Sequence, residues 1–458
     1  METIGLISLG CARNLVDSEV MLGSLKKAGY HIAQDPNLCD VIIVNTCGFI
    51  EDSKKESIDT ILEMASLKKK GRLKKLVMAG CLAQRYSEDL KESVPEVDLF
   101  VGTGEFPKIA ELLKRHSDPE LVEGEESRDP SAVPQDDKRI YVGAPRALPD
   151  ETFARILATP KHFAYLKLAE GCQHSCSFCI IPKLRGPLRS RSIASLVIEA
   201  QSLIAQGVKE FNLIAQDSTG YGCDLKNGTT LRKLLERLTA LEGEKWFRLF
   251  YAYPHGFPME VVDFMKKEPQ VCNYLDMPIQ HINDRLLQSM RRQGKGEDIR
   301  RIISTVRDKI PNVTLRTTCI VGYPGETDSE FAELAHFIEE GYFDYVGVFT
   351  YSQEEGTTAA KLQDDVPSKV KRERKKHLME IQKKVSLKRN ESWVGKNLKV
   401  LVDGSSEESE LVLVGRHQGQ APDVDGVVYL NECDLAAGEF ATVKVTEAHD
   451  YDLVGKIV

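Results

Sequence analysis

A chain of 458 residues exceeds what one ordinary core organises and, at about 150 residues per domain, divides into roughly three domains. With 42% apolar and 28% charged residues it has the make-up of a soluble globular protein, and no apolar run approaches the roughly 18 residues a membrane span needs. A net charge of −8 excludes an overall basic nucleic-acid glove, though not a local basic patch. The opening Met1-Glu2-Thr3-Ile4-Gly5 has neither the basic start nor the apolar stretch of a signal peptide, so a cytoplasmic protein is expected. Thiols stay reduced there, and 11 cysteines in such a compartment point to metal ligation or catalysis rather than disulfides.

Residues 1–116 alternate short apolar runs (3–9, 41–45 and 75–79) with helix-periodic segments, which predicts a parallel-sheet α/β domain. Residues 117–157 turn acidic and Pro-rich without apolar periodicity and are expected to form a linker. From 158 to 392 six further candidate strands alternate with helical stretches, at 164–169, 210–216, 247–253, 274–278, 314–321 and 344–350. That pattern predicts a partial (β/α)6 barrel with its chemistry at the C-terminal strand ends. Thr327-x-x-Glu330, before Phe331, Leu334, Ala335 and Ile338, reads as a capping box opening a helix. A basic helix is expected to close this domain, with ten basic residues and two acids between Lys369 and Arg389. Residues 393–458 alternate Leu398, Val400 and Val402, then Val443 and Val445, with polar residues, as a small antiparallel β-barrel would.

Cys172, Cys176 and Cys179 fall in EGCQHSCSFCIIPKLRG, directly after the first barrel strand. Thiolates are the ligands of iron-sulfur clusters, and a C-x3-C-x2-C spacing lets one loop wrap a cluster while leaving one of four irons open. Incidental core cysteines and a zinc knuckle are the competing readings, the latter short of a confident fourth ligand. A second triplet is dispersed: Cys11, Cys47 and Cys81 each follow a predicted strand. In a parallel sheet those strand ends share one edge, so residues 36 and 34 positions apart converge. Cys39 precedes its strand and is assigned to the other edge; Cys223, Cys272, Cys319 and Cys433 have no partner spacing and are read as core or surface residues.

The CxxxCxxC loop resembles that of the radical S-adenosylmethionine superfamily. GCARNLVDSE, VNTCGFIEDSKKESIDTI and AGCLAQRY, with the C-terminal β domain, extend the resemblance to the methylthiotransferases over nearly the whole chain. Their wording is closer to the branch acting on a ribosomal protein than to the tRNA branch. The resemblance implies two 4Fe-4S clusters, one on Cys172, Cys176 and Cys179 that binds S-adenosylmethionine, and an auxiliary one on Cys11, Cys47 and Cys81. It also implies a TRAM domain at the C-terminus. By the same resemblance Phe178 flanks the adenine, and Gln216, Asp217, Arg316 and the segment from Gly322 to Glu326 contact S-adenosylmethionine. No catalytic residue beyond the cluster ligands is assigned. The implied mechanism uses two molecules of S-adenosylmethionine, one donating a methyl group to sulfide on the auxiliary cluster and one yielding the radical. The radical takes a hydrogen from an unactivated carbon, which then couples to the methylthio group. In the ribosomal branch the product is 3-methylthioaspartate on small-subunit protein S twelve, an assignment resting on the resemblance alone.

Residues 394–458 hold five Lys or Arg against twelve acids, hence −7. Such a domain suits a basic ribosomal protein better than tRNA phosphates, and it is expected only to present the target, leaving radical formation to the barrel. Arg185, Arg189 and Arg191, beyond the cysteine loop, are read either as steering an acidic target or as rim ion pairs. An electron donor such as a flavodoxin or ferredoxin is implied. A tRNA methylthiotransferase and a non-enzymatic iron-sulfur redox protein remain the alternatives.

Overall fold

The computed structural model of the chain describes residues 2–117, 139–406, 409, 412–431 and 435–458. They divide into two compact units, one comprising 1–158, 169–174 and 179–191, the other 159–168, 175–178 and 192–458.

The first unit is built on β1 (Thr3–Ser8), β2 (His31–Ile32), β3 (Val41–Thr46), β4 (Lys75–Gly80), β5 (Leu99–Val101) and β6 (Ile140–Tyr141), all parallel, in the order β2-β1-β3-β4-β5-β6. β3, VIIVNT, is buried along its whole length, as a strand covered on both faces requires. Helices α1 (Ala12–Lys27), α2 (Glu51–Lys69), α3 (Cys81–Ser93) and α4 (Ile109–Ser117) cover the sheet. α2 carries Glu51 and Asp52 in its first turn and Lys68 and Lys69 in its last, matching the helix dipole at both ends.

β6 lies within the stretch expected to be a linker. Residues 139–158 instead complete the sheet and then strap α1: Arg155 and the Ala158 N–H both bond the buried Glu19 carboxylate, and Ile156 N–H bonds the Glu19 carbonyl. A two-residue strand carries too little periodicity to be seen in sequence, which is why the domain edge moves from 116 to 158. The acidic stretch 118–138 lies outside the described residues. The cysteine-loop segment adds β8 (Ala169–Glu170) and β9 (Arg189–Ser190), a short antiparallel ribbon closing its base, with α5 (Ile181–Arg185) between them.

The second unit centres on β7 (Phe163–Lys167), β10 (Glu210–Ile214), β11 (Trp246–Leu249), β12 (Val271–Asp276), β13 (Thr314–Val321) and β14 (Tyr345–Thr350). These six parallel strands lie side by side in chain order, as a partial (β/α)6 barrel requires. The intervening helices are α6 (Ile193–Ala205), α7 (Leu231–Thr239), α8 (Met259–Met265), α9 (Asp284–Ser289), α10 (Gly296–Lys309) and α11 (Asp328–Glu339). The capping box forms as expected: Thr327 Oγ1 accepts from the Glu330 N–H while the Glu330 carboxylate accepts from the Thr327 N–H. The basic helix α12 (Ser368–Glu391) follows, and then β15 (Asn397–Ser405), β16 (Leu413–His417), β17 (Val428–Leu430), β18 (Phe440–Ala448) and β19 (Leu453–Ile457) close into a small barrel. Its core alternates along the strands as Leu398, Val400, Val402 and Val443, Val445.

This small barrel is bonded to the N-terminal ends of the parallel strands. Arg416 pairs with Glu210, the first residue of β10, at 2.6 Å and with Asp403 at 2.7 Å. His162 meets Asp403 at 2.8 Å, Tyr274 donates to Asp425 at 2.7 Å, and Trp246 packs edge-on against Phe440. Arg248 and Glu210 beneath them are fully buried and paired at 2.8 Å. The expectation that this domain only presents the target is therefore corrected. Its removal would take the Arg416 partner from Glu210, the Asp425 partner from Arg316 and the Gln418 carbonyl from Arg248, and breaking a buried ion pair costs about 3–5 kcal/mol.

Candidate functional site: two sets of cysteines

β1, β3 and β4 are neighbours, so Cys47 and Cys81, which directly follow β3 and β4, and Cys11, three residues past Ser8 at the end of β1, lie along one sheet edge. Glycines make the turns off the strands possible. Gly10 has φ +90°, and a Cβ there would stand 2.8 Å from Cys47 Cβ. Gly80 has φ +92°, and a Cβ would stand 2.3 Å from Asn45 Oδ1. Cys11 caps α1 and Cys81 opens α3, so both sulfurs sit at helix N-termini, whose unpaired N–H groups favour a thiolate. A buried polar clamp fixes α1 against the strand ends: Asn14 Nδ2 donates to Leu9 O and Thr46 O, while Asn45 Nδ2 donates to Asn14 O and Ser18 Oγ.

The thiols share one electrostatic environment. Burial raises Cys47 to about 11, with the neighbouring Cys81 and Cys11 adding to the rise. Burial also raises Cys81, against the pull of Arg185. At Cys11 burial opposes ionisation, but the charges of Arg13 and Arg185 and the N–H groups of Asn14 and Arg13 prevail and lower its pKa. Among the described residues no three Cys, His, Asp or Glu side chains gather closely enough to ligate one bare ion. A cubane spreads its thiolates wider than a single ion does. What the edge offers is an all-sulfur donor set, mutually coupled and beside a cation, and that chemistry fits an iron-sulfur cluster.

On the cysteine loop, Cys172 N–H donates to Gly186 O, and Cys172 Sγ accepts from the His174 N–H at 3.4 Å, both within the first unit. Within the second unit Ser177 is pinned: its N–H donates to Met290 O, its hydroxyl bonds Ser289 O and Tyr323 Oη, and its carbonyl accepts from Ala359 N–H. Arg292 reaches Cys176 Sγ at 3.9 Å, stacks over Tyr253 with 4.1 Å to the ring centroid, and bonds Pro278 O. Phe178 packs against the buried cluster of Leu286, Met290, Tyr323, Tyr351 and Ala359. Gln216 and Asp217 follow the C-terminal end of β10, and the Asp217 carboxylate accepts from the Thr219 N–H and hydroxyl.

Arg316 is engaged in ion pairs. It is the third residue of the eight-residue β13 and pairs with Asp276, the last residue of β12 and its in-register neighbour, at 3.4 Å and with Asp425 at 3.3 Å. Glu326 is also engaged internally, with the Gly322 N–H, His281 and Arg374. Arg374 and Lys371, two basic residues of α12, are thus interior groups, Lys371 pairing with Asp364. Arg191 faces Glu151, Arg189 bonds Arg185 O and Ala147 O, and Arg185 is 2% exposed. The steering role considered for these three arginines is not supported by their placement.

Cys39 precedes β3 and donates to Asp35 O, away from the triplet edge. Cys272 and Cys319 are buried, each pushed up to about 12 by burial, while Cys223 is exposed and Cys433 lies outside the described residues. Sequence reasoning missed Arg292, Tyr253 and the burial of Arg185. Only the last left a trace: Asn14, Asp17 and Ser18 are polar at helical spacing on the inner face of α1, which calls for an interior partner.

Comparison with known proteins agrees with this division. Residues 3–102 match the model of Uncharacterized protein family UPF0004, 166–338 the Radical SAM superfamily and 394–458 the TRAM domain. Among solved structures, a radical S-adenosylmethionine methyltransferase, TsrM, from Kitasatospora setae shares the fold at TM-score 0.55 and 16% identity, over 76% of this chain and 75% of that one. Curated relatives described as ribosomal protein uS12 methylthiotransferase RimO are far nearer in sequence. The one from Geobacter sulfurreducens is 48% identical over 100% of this chain and 99% of its own length. That from Pelobacter propionicus is 47% identical, over 100% and 98%. That from Syntrophotalea carbinolica is 49% identical, over 99% and 96%. With three matched domains in order and near-half identity from end to end, the chain belongs to the ribosomal protein uS12 methylthiotransferase RimO family.

Proposed function

We propose that this protein methylthiolates the β-carbon of an aspartate in small-subunit ribosomal protein uS12, as a radical S-adenosylmethionine enzyme with two 4Fe-4S clusters. The observation that supports it most is the delivery of Cys11, Cys47 and Cys81 to adjacent strand ends, in a chain that also carries the CxxxCxxC loop. When bound, the cluster on the loop supplies the electron that cleaves S-adenosylmethionine and the one at the sheet edge supplies the sulfur.

The chain's own part is placement and exclusion of water. Arg292, locked over Tyr253, fixes Cys176 from one side and the Ser177 bonds fix the loop backbone from the other. Phe178 offers an apolar face, and Gln216 and Asp217 supply polar atoms beyond β10 for the amino-acid part of S-adenosylmethionine. Arg316, paired with Asp276 at the end of β12, is the basic residue that the resemblance adds to that set.

The choice of a ribosomal protein over tRNA keeps its charge argument in reduced form. Asp403, Asp423, Asp425, Asp450, Lys399 and Arg416 of residues 394–458 bond groups outside the small barrel, which leaves eight of the twelve acids and three of the five bases by count. Glu407, Glu408 and Glu410 among them lie outside the described residues. A flavodoxin or ferredoxin as electron donor and a cytoplasmic location complete the reading. Among the described residues no helix is long and apolar enough to cross a membrane.

Anaerobic reconstitution should load about eight irons per chain, falling to about four when Cys172, Cys176 and Cys179 are replaced by Ala. Mass spectrometry of uS12 from a strain lacking the enzyme should show an unmodified aspartate. A tRNA nucleoside that loses its methylthio group in that strain would move the protein to the other substrate class.

A further inference from the structure

Arg185 ends the short helix α5, which follows directly on the cysteine loop. Its guanidinium is buried and divided between two tasks. Nη1 meets Asp17 at 2.5 Å and Glu170 at 3.4 Å, while Nη2 donates to Asn14 Oδ1 at 2.7 Å and to Cys81 Sγ at 3.4 Å. The planar fork is permanently charged, and four partners leave it one orientation. Its segment is equally fixed. Ile180 and Leu184 pack with Phe49 and Cys81, and Leu184 O accepts from Thr103 Oγ1. Gly186 O, one residue on, accepts from Cys172 N–H. The stretch after Cys179 therefore bonds a cysteine of the dispersed set through Arg185 and the first cysteine of the loop set through Gly186.

We propose that Arg185 is a positioning residue for the N-terminal cysteine set, holding the Cys81 sulfur and raising the reduction potential of a cluster bound there. The proposal rests on the reading of Cys11, Cys47 and Cys81 as cluster ligands. A hydrogen bond and a cation on a ligating sulfur stabilise the more negative, reduced form. Asp17 and Glu170 balance the arginine and keep it from drifting, but Nη2 is the arm that touches sulfur. A guanidinium serving only as the counter-ion of Asp17 would need no contact with Cys81, and a lysine in its place would then restore the potential in full.

The test uses the full chain with Cys172, Cys176 and Cys179 replaced by Ala, so that only the N-terminal set binds iron. After anaerobic reconstitution the cluster is titrated with a chemical reductant and followed by electron paramagnetic resonance. About four irons per chain in this parent uphold the ligand reading; a parent without iron would remove the basis of both readings. Arg185→Gln should shift the midpoint to a more negative potential at unchanged iron content, and Arg185→Lys, which keeps the charge without the fork, should recover part of the shift. An Arg185→Gln cluster with full iron and the parent potential overturns the inference while sparing the ligands. Should Arg185→Gln fail to fold because Asp17 and Glu170 are left buried beside no cation, it is made together with Asp17→Asn and compared with Asp17→Asn alone, since the Asp17 charge itself acts on Cys81. A negative shift is expected in that comparison, and its absence is equally decisive.

Discussion

The two sets of cysteines are assembled by opposite means. One lies within eight consecutive residues, 172–179, and would stay together in almost any fold. The other is spread over 71 residues, 11–81, and exists only because β1, β3 and β4 are neighbours in a parallel sheet. A local set depends on its loop being held; a dispersed set depends on the register of a whole sheet. The pinning of Ser177 and Arg292 serves the first, whereas Gly10, Gly80 and the Asn14–Asn45 clamp serve the second.

The sharpest way to break this contrast is to remove one ligand from the dispersed set. Cys81→Ala should abolish methylthiolation of uS12 while cleavage of S-adenosylmethionine to deoxyadenosine continues, both measured by chromatography and mass spectrometry. Transfer at the normal rate would mean the two sets do not have separate tasks. A smaller lesion leaves all six sulfurs in place. Gly80→Ala puts a methyl against Asn45 in a left-handed turn, so a loss of about 1–3 kcal/mol in denaturant unfolding is expected, with iron lost from the N-terminal set first. Loss from the loop set first would show that the dispersed set does not depend on strand-end geometry. The mildest change addresses the loop. Tyr323→Phe deletes the hydroxyl that joins Ser177 to Ser289, costing about 1 kcal/mol. Faster oxygen-induced bleaching is expected only for the loop cluster, and equal bleaching of both would show that the pinning of Ser177 is immaterial.

Much of this architecture was readable in advance because parallel strands announce themselves. VIIVNTC and LVMAGC are apolar runs that end in a cysteine, and the buried β3 and β4 follow them closely. The placement of Cys11, Cys47 and Cys81 at neighbouring strand ends was legible for the same reason, since strand ends are a sequence property. What escaped depends on side-chain direction and on contacts distant in sequence. The ion pair of Arg316 with Asp425 escaped because the two are distant in sequence. Arg185 read as a surface cation because its partners Asp17 and Asn14 precede it by 168 and 171 residues. β6 was lost in an acidic stretch because two paired residues leave no pattern.

The polar seam between the small C-terminal barrel and the parallel strands bears on modularity. A domain joined by scattered apolar contact can be exchanged among relatives with little correction. Here Arg416, Asp403 and Asp425 on one side answer Glu210, His162 and Arg316 on the other, each with a specified sign and reach. A chimera that transplanted residues 394–458 from an enzyme without these charges would leave Glu210, which is buried, and Arg316 short of their partners. Recombination between such enzymes is thus constrained to carry the strand-end residues along with the barrel they face, so that any inherited change of target travels as a pair of segments far apart in the gene.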